Sequence, residues 1–260
     1  MTLATPMLRS VPIHRVGADQ EALPGAPVST DCSHCHLREL CLPCGMNNPD
    51  VQRLDSMHFV RRRIKAGQPL YHAGETFNFI HAVRTGTFKS SLVTSDGREQ
   101  VSGFHMAGEM MGLDGLADGR HASSSSALED AEVCAIPYLK LNEMAVGNPG
   151  MQHVVSRMMG REIVREHSLM LLLGSMNAEE RLAAFLLNLA QRMQVRGFSA
   201  AEFHLRMSRA EIGSYLGMKL ETVSRTFSAF QAQRLLEVDK RHIRIIDRDG
   251  LARAFEARVH

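Results

Sequence analysis

Four of the five cysteines fall within the stretch DCSHCHLRELCLPC, at Cys32, Cys35, Cys41 and Cys44, and the fifth, Cys134, lies ninety residues further on. Clustered thiolates bind soft metals, and Cys-x2-Cys-x5-Cys-x2-Cys is by itself a complete tetrahedral zinc set. Four thiolates are equally the complement of a [4Fe-4S] cluster. Residue chemistry leaves both open, beside thiol redox chemistry and structurally inert cysteines. It argues against a disulfide staple, because a chain of 260 residues buries a core that needs none. The opening MTLATPMLRSVPIHRVG has no apolar run of the kind a secretory signal requires, so a reducing, cytoplasmic setting is expected. His34 and His36 interleave the cysteines and read as surface histidines of a polar loop.

A second constellation lies in MSRAEIGSYLGMKLETVSRTFSAFQAQRLL. Ser208 and Glu211 form a capping box that opens a short helix, and Gly217 marks a tight turn. The helix that follows carries Leu220, Val223, Phe227 and Phe230 at the spacing of a buried stripe, with Glu221, Ser224 and Arg225 on the other side. Two short helices about such a turn make a helix-turn-helix, whose second helix enters the DNA major groove. Arg225 suits guanine O6 and N7, Glu221 suits cytosine N4, and Ser224 a neighbouring base or phosphate. Lys219 stands where a capping Ser or Thr is usual, and its charge suits a phosphate. VDKRHIRIID reads as a hairpin wing offering Lys240, Arg241 and Arg244 to the DNA backbone. The competing reading is a helical packing module in which Glu221 and Arg225 form an exposed pair of little consequence.

These residues need elements to position them. Residues 1–31 mix Pro, Gly and small residues without a period and read as a loose arm; residues 32–147 hold the cysteine segment and a β-rich domain. Within the latter, Gly86, Gly97, Gly108 and Gly119 fall eleven apart between short strand-like runs, the spacing of a jelly roll or barrel, with SDG at 95–97 turning a hairpin. From 148 to 176 the period changes: Met151, Val155, Met159, Ile163, Glu166 and Met170 recur at helical intervals. A helix over about 150–174 spans about 37 Å and suits pairing with a twin, the alternative being packing on its own β domain. Glu166 interrupts the apolar stripe, and near a two-fold axis it would face its own copy. A helix capped by Asn177 and Glu180 opens the remainder, 177–260, and Gly197 stops it.

A net charge of +2 argues for no partner by itself, and the leucine-rich SLMLLLGSM is too short to cross a bilayer, so no membrane association is expected. No nucleophile, base and acid occur at meaningful spacing, and an enzyme is not expected.

The cysteine pattern, GFHMAGEMMG, NAEERLAAFLLNLAQRMQVRGFS and IGSYLGMKLETVSR together resemble the CRP/FNR superfamily, more narrowly its oxygen-sensing FNR branch, over all but the N-terminal arm. The resemblance implies an α+β fold: an N-terminal double-stranded β-roll (jelly roll), a long dimerisation helix and a C-terminal winged helix-turn-helix. It implies a [4Fe-4S] cluster held without oxygen by Cys32, Cys35, Cys41 and Cys134, with Cys44 left over. It further implies a homodimer, a double-stranded DNA palindrome resembling TTGAT-N4-ATCAA read by Glu221, Ser224 and Arg225, and RNA polymerase as a partner. Superfamily members that bind cyclic nucleotides carry a Gly-Glu pair and an Arg-Ser pair in the β-roll. Here Leu113 follows Gly112, and RHASSSS, with Arg120 and Ala122, lacks the second pair, so no cyclic nucleotide is expected. Two further readings compete: a DNA-binding regulator with structural zinc and another effector, and an interaction protein that binds no DNA.

Overall fold

The computed structural model describes residues 31–57, 59–94 and 97–256, so the arm expected over 1–31 lies, apart from Asp31, outside the described residues. After the cysteine segment a short helix, α1 (Asn48–Asp55), leads into strands β1 (Val60–Ile64), β2 (Pro69–Tyr71), β3 (Phe79–Thr85), β4 (Thr87–Val93), β5 (Glu99–Met106), β6 (Met110–Met111), β7 (Ser124–Ala127) and β8 (Ala131–Pro137). They form two four-stranded antiparallel sheets, ordered β1-β8-β3-β6 and β2-β7-β4-β5. This is the expected β-roll. The four evenly spaced glycines all take positive φ, between 68° and 88°. Two cannot be replaced without a clash: a Cβ on Gly86 would stand 2.6 Å from the Ala131 Cβ, and one on Gly108 2.8 Å from the Leu40 Cβ.

Helix α2 (Tyr138–Ala145) turns the chain into α3 (Pro149–Ser175), then α4 (Ala178–Gln194). Asn148 caps α3 through Met151 N–H, and Asn177 with Glu180 makes the expected capping box on α4. The rest is β9 (Glu202–His204), α5 (Arg209–Leu216), α6 (Leu220–Ala232), β10 (Leu236–Asp239), β11 (His242–Ile245) and α7 (Arg248–Glu256), with β10-β11-β9 as one small sheet. No helix among the described residues is long and apolar enough to cross a membrane.

The stripe on α3 divides in two, which corrects one expectation. Met151 is fully buried within the chain, packed with Val154 and Met158 against the cysteine segment, α1 and β8, so it cannot belong to a surface shared with a second copy. Val155 packs partly on the same core, and Met159 is half-buried. Ile163 and Met170 are 55% and 67% exposed, and Val164 and Leu171 continue this apolar face, which no described residue covers. Glu166 is half-buried and lines, with Glu162 and Arg165, a pocket of about 250 Å³ against the β-roll.

Candidate metal centre and nucleic-acid interface

The cysteine segment is a run of tight turns. The Cys32, Cys35 and Cys41 carbonyls each accept from the N–H three residues on, at 3.3, 3.0 and 3.1 Å. Buried Leu37, Leu42 and Met46 anchor the run, the latter two in a core shared with Phe59, Ile80, Ala82 and Ile136. Cys134 sits mid-sheet on β8, opposite Arg61 of β1 and Ala82 of β3. Sheet and turns together put Cys32, Cys35, Cys41 and Cys134 on the walls of one pocket, with Leu37, Pro43, Phe59 and Ile136 as its apolar lining. Cys44 lies outside that lining; its carbonyl accepts from the Arg157 guanidinium of α3. His34 is exposed and bonds Asp31 at 2.6 Å, and His36 is exposed too, as expected of loop histidines.

The donor set is four soft sulfurs in an apolar wall, the chemistry an iron–sulfur cluster uses. Burial, reinforced by the neighbouring thiols, raises the Cys32 pKa above the ordinary thiol range; burial likewise pushes the Cys41 thiol up to about 12. Both are therefore protonated at neutral pH, and a metal would have to displace the proton to bind there. Arg84 brings a positive charge to the pocket wall, its Nη1 donating to Cys35 Sγ at 3.9 Å while its Nε pairs with Glu132 at 3.1 Å. The pocket holds about 20 Å³, room for little more than a water. Among the described residues no three Cys, His, Asp or Glu side chains are arranged to hold a single metal ion. Sequence reasoning missed Arg84 and Asp55, whose carboxylate accepts from the Cys32 N–H at 2.5 Å. Neither is near the cysteines it serves in sequence.

The reader is built as its sequence predicts. Ser208 and Glu211 exchange cap hydrogen bonds, Ser208 N–H to Glu211 at 2.7 Å and Glu211 N–H to Ser208 at 3.2 Å. Gly217 ends α5 with φ 62°. Ile212, Leu216, Val223, Phe227 and Phe230 are buried between α5 and α6. Leu220 departs from the expected stripe: at 46% exposed it sits on the open first turn of α6. Glu221, Ser224 and Arg225 all face solvent, as do Lys219, Lys240 and Arg241. Lys219 caps α6 with no side-chain hydrogen bond, leaving its ammonium free to reach outward. Lys240 turns the β10–β11 hairpin in the left-handed region, φ 53°, and Arg241 Nη1 donates to the Arg206 carbonyl at 3.3 Å.

Gly213 and Arg209 were not singled out in the sequence. A Cβ on Gly213 would stand 2.6 Å from the Met218 carbonyl, so only glycine lets the turn fold back on α5. The two glycines of IGSYLG carry that signal. Arg209 stacks over the Phe227 ring at 3.3 Å, tying the start of α5 to α6, and burial lowers its guanidinium to about 10, still charged at neutral pH.

The larger β-roll pocket is unlike an anion site. Gly112, with φ 87°, is followed by Leu113, and Ala122 and Ser123 stand in its wall. Ser123 donates from both N–H and Oγ to Asp114, at 2.7 and 2.8 Å, which sets a carboxylate in the pocket wall. Glu162 and Glu166 add carboxylates opposite, with Arg165 as the only cation among its lining residues. Arg120 turns away and donates to the Gly74 carbonyl at 2.7 Å.

Two domain families match the chain: a Crp-like helix-turn-helix domain over residues 180–254 and a cyclic nucleotide-binding domain over 61–148. The chain is 44% identical over 232 residues to the transcriptional regulatory protein btr of Bordetella pertussis, covering 89% of this chain and 96% of that protein. It is 40% identical over 221 residues to the fumarate and nitrate reduction regulatory protein of Escherichia coli strain K12, covering 85% and 88%. Among solved structures, FixK2 of Bradyrhizobium japonicum superposes with a TM-score of 0.69 at 31% identity, covering 75% of this chain and 96% of that one.

Proposed function

The chain belongs to the CRP/FNR superfamily of DNA-binding transcription regulators, and we propose that it is an oxygen-responsive member. In this reading Cys32, Cys35, Cys41 and Cys134 hold a [4Fe-4S] cluster at low oxygen. The protein then dimerises along α3 and binds a palindrome resembling TTGAT-N4-ATCAA, activating or repressing anaerobic and microaerobic genes through RNA polymerase. The observation that carries the reading is Cys134, which shares one pocket with three cysteines of a segment ninety and more residues earlier. A tetrahedral zinc at 2.3 Å bonds draws its sulfurs to about 3.8 Å from one another. Thiols spread around a pocket suit a cluster better, since each serves a different iron.

When bound, the cluster supplies an oxygen-labile bridge between the turn segment and β8. The chain's own residues do the rest. The turns that would hold the cluster share one core with Met151, Val154 and Met158 at the start of α3. Arg157 fastens the Cys44 carbonyl to the same helix. The turns are thereby joined to the helix whose exposed face at Ile163 and Met170 would receive a second copy. Glu221, Ser224 and Arg225 read bases, and Lys219, Lys240 and Arg241 hold phosphates. Asp114, Glu162 and Glu166 make the β-roll pocket unfavourable to a cyclic nucleotide phosphate.

Anaerobic purification followed by visible absorption and iron, sulfide and zinc analysis tests this. The expected result is a brown protein with iron and sulfide in equal amounts, bleached by air. Stoichiometric zinc without sulfide would replace this reading with a structural metal and another effector.

A further inference from the structure

Strand β5 is the outer strand of its sheet, and an outer strand leaves a row of backbone groups without a neighbour. Here the row is covered by side chains of the DNA-binding domain. Ser214 of α5 accepts from the Val101 N–H at 2.9 Å and donates to the Glu99 carbonyl at 3.3 Å. Further along, Arg192 on α4 donates to the Phe104 carbonyl and Arg196, just past α4, to the Ala107 carbonyl, both at 2.7 Å. The same two guanidiniums grip Glu109 in the turn after β5, at 2.6 and 2.5 Å. Burial opposes ionisation of Glu109, but Arg192 and Arg196 outweigh it and hold its carboxyl below the usual range. Lys89 of β4 adds an ion pair with Glu211 of α5 at 3.3 Å. Beneath these polar contacts Val101, Phe104 and Met106 share one core with Leu182, Phe185 and Leu186 of α4.

The DNA-binding domain is thus attached to the rest of the chain through the α3–α4 junction and, separately, through the β-roll, at β5 and Glu109 with Lys89 and Glu129 beside them. In this docked position the reading residues of α6 face solvent. A dimer that reads a palindrome needs its two reading helices at a fixed separation and tilt. One anchor at the junction permits rotation about it; a second removes that freedom. We propose that Glu109, through Arg192 and Arg196, is a specificity-determining positioning residue that fixes the half-site spacing the dimer accepts. The inference rests on the DNA-binding dimer proposed above.

One inserted base pair moves the half-sites apart by about 3.4 Å and rotates them by about 35°, a change a held reader rejects and a loosened one follows. The test uses full-length, cluster-loaded protein without oxygen and duplexes with identical half-sites, the spacer unchanged or altered by one or two base pairs. Wild type is expected to lose roughly tenfold in affinity per single step, equivalent to about 1.4 kcal/mol. Glu109→Gln should hold all spacers within about threefold, with iron content and sedimentation unchanged. Ser214→Ala, which uncovers the strand edge without burying an unpaired charge, should flatten the preference in the same direction and decides the matter if Glu109→Gln does not fold. Variants that keep the full wild-type preference, or a wild type indifferent to spacing, would overturn the inference while leaving DNA binding intact. A wild type that binds none of the duplexes would remove the DNA reading and this inference with it.

Discussion

Arg181, in the first turn of α4, donates from Nη1 to the Leu216 carbonyl at 3.0 Å, and Leu216 is the last residue of the reader's first helix. The same guanidinium donates from Nη2 to the Leu173 carbonyl at 2.7 Å and from Nε to the Met176 carbonyl at 2.8 Å. These carbonyls are ones that the ends of α3 and α5 leave open, so one planar fork joins the long helix to the reader.

Arg181→Lys keeps the charge but loses the fork. It should destabilise the protein by about 1–3 kcal/mol, the range for charged hydrogen bonds lost at a partly buried site. Thermal unfolding measures this, and operator titration should show weaker binding in parallel. A lysine variant with wild-type melting would mean the three carbonyls are satisfied by water.

Serine substitution separates the five cysteines. Changes at Cys32, Cys35, Cys41 or Cys134 should abolish cluster retention, and Cys44→Ser should keep it, because Cys44 is not part of the pocket lining. Iron content of the five variants is the measurement. Retention at Cys134 with loss at Cys44 would instead indicate a local four-cysteine knot.

The reading and clamping residues should differ in kind. Arg225→Ala should cost about 1–3 kcal/mol at one base pair per half-site and relax discrimination there. Lys240 holds a left-handed conformation that costs a non-glycine residue about 1 kcal/mol. Lys240→Gly should therefore melt no lower than wild type, yet bind every DNA sequence more weakly with a shallower salt dependence. Equal losses on cognate and random DNA for Arg225→Ala would sink the base-reading role.

Two histidines buried in the β-roll make stability depend on mild acid. Burial, with Arg62 and His121 nearby, depresses His81 to about 3, and among the described residues neither of its ring nitrogens has a partner. Burial, with Arg165 and Arg192 nearby, holds His105 well below its ordinary value. Their folded pKa values lie below the unfolded value near 6.5, so the unfolded chain binds protons that the folded chain does not. Their penalty is absent above that value and grows as pH falls, by up to about 1.4 kcal/mol per pH unit for each histidine. The exposed His34, raised by its hydrogen bond to Asp31, pulls weakly the other way. The carboxylates held low, such as Glu109 and Asp114, act only below about 4.5. Glu162, raised by burial, opposes the histidines as His34 does. A net loss of stability between about pH 7.5 and 5.5 in denaturant unfolding therefore reports the buried histidines. His81→Asn should remove about half of the slope; an unchanged slope would place the acid sensitivity elsewhere.

The sequence by itself determined what residues a few positions apart decide among themselves. Ser208 with Glu211 and Asn177 with Glu180 cap their helices because each pair is three residues apart, and the evenly spaced glycines turn the chain wherever positive φ is needed. The stripe Val223, Phe227 and Phe230 buries itself, and Glu221, Ser224 and Arg225 are left facing outward by helical periodicity alone. Tertiary structure decided whatever depends on which faces meet. Met151 turned inward because the cysteine segment and the unforeseen α1 cover the start of α3, whereas nothing among the described residues covers Ile163. Cys134 joined the other three thiols only because β8 lies between β1 and β3. The grip of Arg192 and Arg196 on Glu109 left no local pattern, since a charge pair more than eighty residues apart exists only once two separately folded surfaces have come into register.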